Sequence, residues 1–137
     1  LKKDFIDKGL VRFEHHPFPL DLAALNAEKI LRCVENKNKR LDLLNNLYEK
    51  QDIWASGSDI NSINKKLIKI ANDYGLNDDK SNKCLNNEKL ENEILEERIN
   101  GSKKYSIEST PTIFINEKNY EGKHDYEDFK KEIEKFL

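Results

Sequence analysis

Apolar residues recur at three- and four-residue steps along most of the chain. Ala23, Ala27, Ile30, Leu31 and Val34 form one such stripe behind Asp21, which predicts an amphipathic helix from a side-chain cap at 21 to about 35. Leu41, Leu44, Leu47 and Tyr48 predict a second helix over about 40–54, before "SGSD" interrupts it. A third begins at Ser58 or Asp59, carries Ile60, Ile63, Leu67, Ile70 and Tyr74 on one face, and closes at Gly75. A short helix over 76–85 and a longer one from Asn87 to about Tyr105, running through Gly101, complete the central block. After Asp125, the stripe of Tyr126, Phe129, Ile133, Phe136 and Leu137 predicts a final helix.

Two segments break this period. Leu10 to His15 sets Val11, Phe13 and His15 against Arg12 and Glu14, the alternation of a strand, and "HPFPL" ends it with two prolines. Thr112 to Ile115 is an unbroken β-branched and aromatic run, followed by a turn at "NEKN" and a short strand at Tyr120. Leu1 to Lys8 reads as the last turns of a helix closed by Gly9. The order is helix end, strand, about five helices, a strand pair and a helix, which is an α/β plan with a helical insertion. In that plan the leading strand and the start of the first helix are missing and are expected upstream. Pro111 stands at the head of the most strand-like run, and proline, having no N–H for a ladder, is tolerated there only at a first position or a special bend.

Composition narrows the function classes. The 137 residues are 36% apolar and 36% charged, enough for a packed core. The 24 basic and 26 acidic side chains are interleaved at a net charge of -2, so no single-sign face attracts a phosphate backbone and no nucleic-acid partner is expected. No apolar run approaches a membrane span, and "LKKDFIDKGL" lacks the charged-then-apolar pattern of a secretion leader. With no methionine in the sequence, the chain is expected to be a mature, processed or partial product. His15 and His16 point to opposite faces of a strand and no ligand spacing joins them to His124, so no metal site is expected. Tyr48 and Trp54 read as core or crevice lining. Cys33 and Cys84 are the only sulfurs. Neither belongs to a Cys-x-x-Cys pair, and Cys33 lies too deep in its helix for the N-terminal dipole to activate it.

"STPTIFINEKNYEG" resembles the cis-proline loop and following hairpin of the DsbA-like disulfide oxidoreductases, a branch of the thioredoxin superfamily, and "LKKDFIDKGLVRFEHHPFPLD" resembles the end of their active-site helix and the next strand. The resemblance covers essentially the whole chain. It implies a thioredoxin-like domain formed by 1–20 and 106–137, interrupted by an inserted helical domain over 21–105. It further implies that the Thr110–Pro111 bond is cis and that Ser109, Thr110 and Pro111 form a substrate-pairing loop, with the backbone of Thr110 open to an extended polypeptide. The alternative is that Pro111 only starts an edge strand. Ser109 and Glu117 stand where the family often has glycine.

The resemblance implies thiol–disulfide exchange at a Cys-x-x-Cys upstream, so no catalytic residue is expected in this chain, and no cofactor. Substrates would be unfolded or reduced exported polypeptides in a bacterial periplasm or cell envelope, and a membrane oxidant is an allowed partner. Some members carry a second, structural bridge in the inserted domain, which the spacing of Cys33 and Cys84 resembles; two buried free thiols are the other reading. Two other functions remain compatible with these residues: a redox-inactive thioredoxin-like module that holds peptides, and a purely helical interaction domain in which 112–120 and 10–15 share no sheet.

Overall fold

In the computed structural model, which describes residues 1–137, most helices begin at a short polar side chain that takes up an orphan amide of the first turn. Asp21 accepts from the N–H of Ala24 and opens α1 (Leu22–Arg32). Asn36 does the same for α2 (Lys37–Glu49) through Lys39. Helix α3 (Gln51–Trp54) follows after a break at Lys50, so the single helix expected over 40–54 is two. The break lets Trp54 donate its indole Nε1–H to the carbonyl of Leu47 at 2.7 Å while it stays buried. Asp59 caps α4 (Ile60–Asn72) through Ser62, and Asn77 caps α5 (Asp78–Leu85) through Lys80. Asn87 accepts from Leu90 at the start of α6 (Glu88–Tyr105).

The hairpin strands β1 (Phe114–Ile115) and β2 (Lys118–Asn119) then precede α7 (Tyr126–Glu134), capped by Asp125 through Asp128. No helix is long and apolar enough to cross a membrane.

The chain forms two compact units, Pro17–Gly101 and Leu1–His16 with Ser102–Leu137. The helical unit packs α1 against α2, α4 and α5. Ile30, Leu43, Leu67 and Ala71 are fully enclosed at its centre, joined by Leu31, Val34, Leu47 and Leu76. Burying such side chains contributes roughly 1.5–3 kcal/mol each. Asn26 of α1 donates to Asn64 of α4 at 2.9 Å, which gives the buried Asn26 amide a partner across the packed face.

A charged seam also runs through this unit. Arg32 donates from Nε to Glu28 at 2.8 Å and from Nη2 to Glu97 at 2.7 Å. Burial pushes the Glu28 carboxyl above its ordinary range, an effect the Arg32 guanidinium partly offsets, while the bond to Glu97 raises Arg32. The buried Glu28 carboxylate is therefore partnered where water is scarce, while Glu97 meets Arg32 from the solvent side.

In the other unit the N-terminal segment Lys2–Ile6 is a π-helical turn, with the Asp7 N–H bonded to the Lys2 carbonyl and Leu10 to Phe5. Gly9, at φ +69°, ends it in a conformation that glycine adopts without penalty. Phe5 and Ile133 are its buried apolar residues, and the Tyr126 hydroxyl donates to Asp4 at 2.8 Å.

The strand expected at Leu10–His15 is absent. Those residues join no ladder, and Leu10 and Phe13 are half exposed. Alternation favours an extended backbone, but a strand exists only when another strand pairs with it, and the one sheet consists of two strands elsewhere in the chain. The sheet is thus a two-stranded antiparallel hairpin in a helix-rich molecule, smaller than the α/β plan suggested.

Candidate functional site: the 106–113 loop

Helix α6 ends at Tyr105, and Ser106, at φ 51°, turns the chain out of the helix in the left-handed conformation. Ser109, Thr110 and Pro111 are all exposed, and the Thr110–Pro111 bond is cis. Neither the N–H nor the C=O of Thr110 is hydrogen-bonded within the chain. The flanking groups are engaged: the Thr112 hydroxyl donates from Oγ1 to the Ser109 carbonyl at 2.5 Å. The rings of Tyr105 and Phe114 lie 5.0 Å apart, so the last residue of α6 meets the first of β1 and the two ends of the loop are held together. The Lys104 ammonium lies over the Tyr105 ring, 5.0 Å from its centroid, and this neighbour raises its pKa.

The hairpin beyond the loop gives it a firm base. Ile115 pairs with Lys118 and Phe114 with Asn119, and the Tyr120 N–H donates to Ile113 at 2.8 Å, extending the pairing by one rung towards the loop. Tyr120 stacks on Phe129 of α7 at 4.7 Å and places its hydroxyl on the Lys123 carbonyl. Gly122 makes room for this ring, because a Cβ would lie 2.4 Å from the Tyr120 hydroxyl and the ring would have to shift. The pairing of β1 with β2 leaves Thr112 to Ile115 as the floor of a short, half-buried ribbon that starts next to Thr110.

The remaining candidate residues lie apart from this loop in sequence and in kind. Cys33, at the C-cap of α1, and Cys84, in the last turn of α5, are bonded to each other with Cα atoms 6.5 Å apart, and no free cysteine remains. Both occupy helix C-terminal ends, where the negative pole of the helix disfavours a thiolate. His16 approaches Glu14 at 3.3 Å, while His124 stacks with Tyr120 and Phe129. No group of three His, Cys, Asp or Glu side chains is arranged to hold a metal ion. The sequence singles out Ser109, Thr110 and Pro111 as site residues but not Thr112 or Tyr105. The spacing of a hydroxyl three residues after Ser109 is the one local signal for the first, and nothing local signals the ring contact that spans 105 to 114.

The family model described as Thioredoxin matches residues 1–135. The chain belongs to the thioredoxin family, and within it to the DsbA-like branch. Disulfide bond formation protein D of Bacillus subtilis is 30% identical over 146 residues, which cover 100% of this chain and 62% of that protein. A Rickettsia conorii protein provisionally named a protein-disulfide oxidoreductase is 27% identical over 116 residues, covering 85% of this chain and 41% of its own length. The chain thus spans less than two thirds of either relative. No solved structure matches it.

Proposed function

We propose that the whole protein is a thiol–disulfide oxidoreductase that introduces or reshuffles disulfides in exported polypeptides, and that Ser109, Thr110 and Pro111 receive the polypeptide. The observation that carries this reading is Thr110, exposed and with both backbone groups unbonded, beside a ribbon of β backbone. An extended segment can pair with such a residue as an added strand. The names of the two relatives support the sulfur chemistry.

In that chemistry a thiolate attacks a disulfide sulfur, a mixed disulfide forms, and a second thiolate releases the product. The reacting pair would be a Cys-x-x-Cys outside the sequence described, since Cys33 and Cys84 are bonded to each other at helix ends that do not activate sulfur. By this reading residues 1–20 and 106–137 are the thioredoxin-like part, 21–105 the insertion, the Cys33–Cys84 bridge is structural, and this segment alone performs no exchange. A bridge of that kind persists in an oxidising compartment, which favours the cell envelope, with a membrane oxidant as the partner that restores the reactive pair.

The alternative is a redox-inactive module that holds peptides by the same loop, for which the open backbone of Thr110 serves equally well. The two readings separate in the reduction of insulin by dithiothreitol. The whole protein is expected to accelerate precipitation of the insulin B chain catalytically. A rate equal to that without protein would overturn the oxidoreductase reading.

A further inference from the structure

The structure assigns Thr112 a role as the positioning residue of this loop: its hydroxyl, by holding the Ser109 carbonyl, sets the register in which a visiting polypeptide pairs with Thr110. The inference rests on the proposal that the loop receives a polypeptide. Three observations carry it. The Thr112 Oγ1–H donates to the Ser109 carbonyl, so one of that oxygen's two lone pairs is already engaged and its direction is fixed. Pro111 has no N–H. Thr110 therefore remains as the residue of the turn that keeps both a donor and an acceptor unbonded and exposed. A strand that docks here pairs best at Thr110, since a slip by one residue would meet a proline without an N–H or a carbonyl already shared with Thr112.

The bond also acts on the free loop. The outer fastening, Tyr105 against Phe114, holds the ends of the 106–113 segment but leaves its interior unfixed. Within it, the Thr112 to Ser109 bond is the one hydrogen bond that joins the two sides of the Thr110–Pro111 pair. Freedom removed before binding is not lost on binding, so this bond raises affinity without touching the ligand. Because the hairpin is held separately, by the pairing of 114–115 with 118–119 and by the Tyr120 to Ile113 bond, removing the hydroxyl should loosen the loop and spare the sheet.

The test compares Thr112→Val, which keeps the shape and loses the hydroxyl, with Thr112→Ser, which keeps it, in the whole protein. The probe is S-carboxymethylated insulin B chain, an extended polypeptide without thiols, titrated by fluorescence anisotropy. The valine variant is expected to bind about fivefold more weakly, the scale of one net hydrogen bond, and the serine variant within about twofold of wild type. Thermal midpoints and the hydrogen-exchange protection of the Tyr120 amide are expected to be the same in all three. Equal binding by the valine variant overturns the positioning role while leaving the polypeptide loop intact. So does weaker binding accompanied by lost Tyr120 protection, which would make Thr112 a structural residue of the hairpin. Failure of the wild type itself to bind the probe overturns the reading of the loop and the inference with it.

Discussion

Lys29 lies on the apolar side of α1, 2% exposed, with its ammonium donating to the Leu85 carbonyl at 3.1 Å and paired with the Glu91 carboxylate. A buried cation needs every partner it has, because the interior does not replace lost water. Removing the carboxylate by Glu91→Ala is expected to destabilise the helical unit by about 2–3 kcal/mol, at or below the lower end of the range for fully buried pairs since Glu91 is partly solvated. Adding Lys29→Met to that variant should recover most of the loss, because no charge then stays behind. Urea unfolding followed by fluorescence of Trp54, the single tryptophan and buried in this unit, measures both. A Glu91→Ala variant within about 0.5 kcal/mol of wild type would mean that the Leu85 carbonyl and local water suffice. None of this was legible beforehand. Lys29 reads as a flank of the Ile30 stripe, and its partner lies on another helix 62 positions away. The caps at Asp21, Asp59 and Asp125 were legible because side chain and amide are three residues apart and need no tertiary structure to meet.

The same division between local and distant partners governs the elements. Helix stripes survive translation into structure because each helix satisfies its own backbone, whereas the alternating segment Leu10–His15 depends on a neighbour and forms no strand. The hairpin is the β element that is local, and its turn residues decide it. Asn116 and Glu117 sit at φ 45° and 66°, the two left-handed positions that a two-residue turn of type I′ demands. Asn tolerates that region, but Glu does so at a penalty of roughly 1–2 kcal/mol, against which glycine would bring about 0.4–1 kcal/mol of extra unfolded-chain entropy. Glu117→Gly is therefore expected to stabilise the hairpin by about 0.5–1 kcal/mol. The slowed hydrogen exchange of the Tyr120 amide, bonded to Ile113, reports the gain directly. Unchanged or faster exchange would show that Glu117 is held there by interactions that outweigh its backbone strain.

At the scale of the molecule, the helical unit has one covalent fastening, and what it does follows from where it lies. The Cys33–Cys84 bridge ties the end of α1 to the last turn of α5 across 51 positions of sequence. In the chain-entropy account a loop of that length restricts the unfolded state by about 4 kcal/mol, a large share of the roughly 5–15 kcal/mol that holds a typical domain. The native joint does not rest on the bridge alone. Lys29 of α1 holds the carbonyl of Leu85, next to Cys84, and reaches Glu91 beyond it, while α5 also packs on α4. Reduction should thus lower stability without undoing the fold. Titration of thiols in denaturant without reductant is expected to find none. Dithiothreitol should then shift the Trp54 urea transition down by up to about 4 kcal/mol while leaving a folded baseline, and Cys33→Ala with Cys84→Ala should reproduce the reduced curve. Coincident transitions with and without reductant would mean that the bridge adds nothing to the joint that Lys29 already makes. Loss of the folded baseline on reduction would mean that Lys29 cannot hold it unaided.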